Sequence, residues 1–175
     1  RVALFANGRL LREEQINARA GTPRPAPGVL WEGDWTLDRP AHDVHLVAMA
    51  FGPGVDGLFW KTAKPYQPRS SDWTSYVVGA SGAVWLDIDR DGRRTPAIDY
   101  ARTIVAEATA DPALLTEKLG GFDEAVAAQA AFLWEGKGHD LSAPETRAAL
   151  KKAASAVQRG FEAYEKAKRD SAIAR

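Results

Sequence analysis

The sequence predicts an α+β chain: a partial immunoglobulin-like β-sandwich over residues 1–95, followed by a C-terminal α-helical region over residues 96–175. Three observations predict it. Up to Thr95-Pro96 the apolar residues come in short runs broken by Gly, Pro, Asn and Asp, the punctuation of strands and turns. Beyond Pro96 they recur at three-to-four spacing, the period of helices that bury one face. With 175 residues, 45% of them hydrophobic, the chain can bury a core in one domain or two small ones.

The first element is a hairpin. Val2-Ala-Leu-Phe-Ala and Arg9-Leu-Leu-Arg-Glu-Glu flank Asn7-Gly8, a pair that accepts positive φ at both positions and so closes two strands tightly. Gly21-Thr-Pro-Arg-Pro-Ala-Pro-Gly28 carries three prolines that donate no ladder hydrogen bonds, which predicts a surface loop. Further strands are predicted at Gly28–Leu37 and Asp43–Phe51, then at Ser75–Gly79 and Ala83–Asp87 after a long loop. Five or six strands are fewer than a complete sandwich carries. The chain also opens at Arg1, without Met and already in a strand pattern. The expectation is a piece of a longer protein, its sandwich completed by an upstream domain or a second chain.

In the helical region Ile98, Ala101, Ile104, Val105 and Ala108 share one face, with Pro96 in the first turn. Asp111-Pro112 predicts an N-cap followed by a short helix ending near Gly120-Gly121. A third helix is expected from Asp123 to Glu135, with Val126, Ala130 and Leu133 on one side. Ser142-Ala-Pro-Glu145 fits a capping box and opens a last helix whose stripe is Leu150, Ala154, Val157, Phe161 and Tyr164. That helix would reach about 30 residues, roughly 45 Å, and needs a packing neighbour to be stable.

Composition removes several functions. Lys+Arg and Asp+Glu balance at 23 each, so no net field draws nucleic acid or an anionic membrane. No apolar run approaches the roughly 18–20 residues of a membrane span. Without cysteine there are no disulfides and no thiolate metal sites. Neither a phosphate-binding glycine loop nor a nucleophile elbow is present. His42 and His45, three apart on a strand, point to opposite faces, so they read as exposed histidines at a strand start and not as a metal pair. His139, in a loop between helices, reads as ordinary surface.

The richest stretch is Val84-Trp-Leu-Asp-Ile-Asp-Arg-Asp-Gly-Arg-Arg-Thr-Pro96. Asp87, Asp89 and Asp91 occupy alternate positions and Gly92 follows, matching the first half of a calcium loop. The backbone carbonyl of Arg93 then supplies a fourth ligand, and Thr95 stands where water often intervenes. Ile98 replaces the final bidentate acid, a role that Asp99 can take from the next position. The other reading is a solvated turn in which Arg90, Arg93 and Arg94 neutralise the carboxylates. Either way the loop ties the last strand to the first helix, and carboxylates with carbonyls supply no nucleophile. A second candidate is the aromatic loop Leu58–Trp73. Trp60, Tyr66 and Trp73 would stack on a glycan or else cover an open end of the sandwich.

Four runs taken together, Phe5-Ala-Asn-Gly8, His45–Val55, Phe59–Pro68 and Ala83–Gly92, resemble one known region. It is the part that follows the catalytic domain in bacterial PHP-type metallohydrolases of the CehA/McbA-like branch, common in planctomycetes. The resemblance implies a non-catalytic C-terminal accessory region of a secreted or periplasmic metal-dependent hydrolase. In that family hydrolysis belongs to the PHP domain, whose H-x-H motifs this chain lacks, so no catalytic residue carries over. Asp87, Asp89, Asp91 and Gly92 correspond to the family's Asp-rich turn, with Arg90 standing where relatives often have glycine.

Overall fold

The computed structural model describes residues 1–17, 24–53 and 76–173. They form a five-stranded antiparallel sheet and five helices, an α+β fold. The strands are β1 (Val2–Ala6), β2 (Arg9–Glu14), β3 (Val44–Pro53), β4 (Tyr76–Ala80) and β5 (Val84–Leu86). The helices are α1 (Ala97–Ala108), α2 (Pro112–Leu119), α3 (Glu124–Gly136), α4 (Pro144–Lys152) and α5 (Ser155–Ile173). Two compact units result: residues 1–38 with 46–84, and residues 39–45 with 85–175.

In the sheet unit the hairpin forms as the dipeptide requires, with φ of 47° at Asn7 and 82° at Gly8. Strand order is β2-β1-β3-β4, and β5 also pairs with β3. Arg1 locks the register: its ammonium donates to the Phe51 carbonyl at 2.9 Å and its guanidinium lies 4.3 Å from the Phe51 ring centre. Ala3 and Ala6 are buried, whereas Leu10, Tyr76, Val77, Val78 and Val84 are exposed. The strand predicted at Gly28–Leu37 does not form; only an isolated Ala26–Val29 bridge is present. The chain folds onto its own aromatic rings there, so closely that a Cβ on Gly33 would lie 2.4 Å from the Trp31 ring.

The helical unit buries the predicted stripe of α1 (Ala101, Ile104, Val105, Ala108) against Leu115, Leu119, Val126, Ala130, Trp134, Val157 and Phe161. Asp111 caps α2, accepting from the Ala113 and Leu114 amides, and Asp123 caps α3 through the Val126 amide. Two expectations are corrected. The last helix is two helices, because Ala153 is extended at ψ 161° and the Gln158 side chain donates to its freed carbonyl at 2.8 Å. The capping box does not form. Ala143 occupies the cap position, and the Ser142 hydroxyl turns to Asp140 at 2.7 Å. Between α3 and α5, Glu135 accepts from Lys168 and Tyr164, each at 2.6 Å. The Lys168 bond, then the Tyr164 bond, holds the Glu135 carboxyl below its ordinary value, and the same contact pushes the Tyr164 hydroxyl up to about 12.

Candidate metal site

The acidic loop is built by side chains accepting backbone protons. Asp87 takes the Arg90 amide on Oδ1 at 2.6 Å and the Gly92 amide on Oδ2 at 2.9 Å. Asp89 takes the Asp91 amide at 3.2 Å, and Asp91 takes the Arg93 amide at 2.7 Å. Short acidic side chains favour such turns because they reach backbone two or three residues on. Arg90 and Gly92 adopt left-handed φ of 63° and 76°. This is a conformation glycine takes without strain and arginine does not, so Arg90 occupies a position that suits glycine.

The loop closes on a residue far away in sequence. Asp43, just before β3 and 2% exposed, accepts from the Ile88 amide at 2.7 Å on Oδ1 and the Thr95 amide at 3.2 Å on Oδ2. Arg39 joins the same closure by donating to the Ile88 carbonyl at 2.9 Å. One ligand atom each of Asp43, Asp87 and Asp89 lies within 4.8 Å of the others. Oxygens about 2.3–2.6 Å from a single hard cation span that distance, and a carboxylate holding one amide per oxygen retains lone pairs for a metal. These three residues therefore fit an oxygen-bound ion.

Electrostatics agree with the geometry. The Asp91 amide draws the Asp89 carboxyl down, but burial and the negative charges of Asp91 and Asp43 raise it, as does the Asp87 side chain, and the net shift is upward. Among the described residues no Lys or Arg side chain ion-pairs with Asp43, Asp87 or Asp89. Arg94 instead lies 5.8 Å from the Trp85 ring centre. Asp89 and Thr95 also border a cleft of about 530 Å³, through which water can complete a coordination shell.

Of the residues predicted for the site, Asp87 and Asp89 are brought together. Asp91 stands outside the trio, its carboxylate engaged by the Arg93 amide, and Asp99 pairs with Arg102 on α1. Trp60, Tyr66 and Trp73 lie outside the described residues. The residue sequence reasoning missed is Asp43. Its one signal was an acid heading the long apolar run Asp43–Phe51, where a carboxylate drawn into the interior must find hydrogen-bond partners. The expectation of exposed histidines at this strand start is likewise corrected for His42, which is 6% exposed between Tyr100 and Phe122. His139 is half-buried, its ring 4.2 Å from that of Trp134. Comparison with protein-family models, with curated proteins and with solved structures gives no match.

Proposed function

We propose that this chain is a non-catalytic structural region whose acidic loop is stapled by calcium, serving as the C-terminal accessory part of a secreted metal-dependent hydrolase of the PHP type. The observation that carries the staple is the buried Asp43 carboxylate. It fastens both ends of the loop while standing within ligand distance of Asp87 and Asp89. A cation there would relieve the crowding of the three acids and fix the segment before β3 to the lead-in of α1. It would supply architecture and not a reacting group.

Placement outside the cytosol belongs to the same reading. A site with two exposed carboxylates and water-completed coordination resembles weak extracellular calcium modules, which bind at about 10⁻⁴–10⁻³ M. The exposed apolar side chains of β2, β4 and the start of β5 support the finer fold reading: this sheet is half of an immunoglobulin-like sandwich, completed by the catalytic domain or by a second chain.

The test is thermal unfolding of the chain in chelator and in calcium. Free calcium at about 100 Kd should add about 2.7 kcal/mol, seen as a rise of several degrees that Asp89→Asn abolishes. An identical melting curve in both conditions would show that the carboxylates are merely a hydrated turn.

A further inference from the structure

His42 directly precedes Asp43 and is not one of the three candidate ligands. Its Nδ1 is 2.9 Å from the Asp43 carbonyl, and its Nε2 is 3.2 Å from the Asp123 amide nitrogen. A carbonyl only accepts and a backbone amide only donates, so in these two bonds Nδ1 is the donor and Nε2 the acceptor, with the Asp123 carboxylate 3.6 Å from Nε2. The ring is held by Tyr100 edge-on at 5.4 Å and by Phe122 stacked at 5.3 Å.

Asp43 lies one residue before the first residue of β3. Side chains hold its peptide groups: the carbonyl accepts from His42, and the amide donates to the Tyr100 hydroxyl at 3.3 Å. The imidazole is thus one of two side chains that fix the peptide groups of Asp43, from which the carboxylate projects. At the other end of the ring, Asp123 caps α3, its Oδ1 accepting the Val126 amide at 3.0 Å. Hydrogen bonds thus run without a break from the loop amides of Ile88 and Thr95, through Asp43 and His42, to the first turn of α3.

We infer that His42 is a positioning residue that sets the cation affinity of the Asp43–Asp87–Asp89 site and couples its loading to the N-terminus of α3. This rests on the cation reading proposed above. Coupling is reciprocal: if the capped α3 terminus favours the bound geometry of Asp43, a bound cation must favour the capped terminus by the same factor.

The experiment uses the whole chain with calcium as the probe. Kd is measured by titration calorimetry, and amide exchange at Asp123 and Val126 is followed by NMR in calcium and in chelator. His42→Phe keeps the packing between Tyr100 and Phe122 and removes both hydrogen bonds. The expected result is at least a fivefold weaker Kd in His42→Phe, with partial recovery in His42→Gln, which regains a donor and an acceptor. Calcium should also slow exchange at Asp123 and Val126 severalfold in the wild type and not in His42→Phe. A purely structural histidine would lower the stability of the chelated protein and leave Kd and the calcium-dependent exchange alone, which overturns the inference. Wild-type calcium binding without any change in Asp123 exchange overturns it even if His42→Phe does not fold. Absence of calcium binding in the wild type defeats the cation reading itself, and this inference with it.

Discussion

At Asp43 a buried carboxylate accepts one amide proton on each oxygen, and nothing about the pair of contacts is interchangeable. Asparagine offers one acceptor and one N–H₂ donor, so either the Ile88 or the Thr95 amide would face another donor in a site 2% exposed. Asp43→Asn should therefore cost about 1–3 kcal/mol in urea denaturation even in chelator. Asp89→Asn, at an exposed position, should leave the chelated protein within about 0.5 kcal/mol of wild type. Equal small effects in chelator would show that Asp43 does not fasten the loop. The alternation of Asp87, Asp89 and Asp91 was legible because turn chemistry is local. Asp43 was not, because its role depends on a tertiary closure that no local period encodes. His42 was misread for the same reason: alternation describes a paired strand, and this residue lies before the strand begins.

Among elements, α3 and α5 approach each other closely at Gly160. A Cβ on Gly160 would lie 2.5 Å from the Ala127 Cβ and 2.6 Å from the Glu124 carbonyl oxygen. Gly160→Ala would gain up to about 1 kcal/mol of helix propensity but must push the helices apart. Overpacking of this kind costs about 1–3 kcal/mol, so net destabilisation is expected in chemical denaturation, together with loss of the Arg159–Glu124 ion pair at 2.9 Å. A stabilised Gly160→Ala would mean that the helices separate freely. The helical faces were legible because the three-to-four period survives packing: Ala101, Ile104, Val105, Ala108, Val157 and Phe161 are all buried. The break at Ala153 was hidden, since Ala153-Ala154-Ser155 contains neither Gly nor Pro. There the tertiary fit, with Gln158 capping the freed carbonyl, overrides strong alanine propensity.

Over the whole molecule the two units differ in what holds them together. Among the described residues, the buried apolar side chains of the sheet unit are Ala3 and Ala6, while the helical unit buries a cluster that includes Trp134, Leu115, Leu119, Val157 and Phe161. Burial of apolar area is the main favourable term, at about 25 cal/mol per Å², so the described residues of the sheet unit contribute far less of it than those of the helical unit. Residues 39–45 cluster with the helices although β3 continues into the sheet unit, so Asp43, Asp87 and Asp89 all belong to the helical unit. Calorimetry in chelator should therefore show two transitions, the sheet unit melting first. Calcium binds only where its three ligands are folded together, so it should raise the upper transition and leave the lower one in place. A single transition that calcium moves as a whole would show instead that β3 transmits cooperativity through both units. The staple would then act on the entire chain.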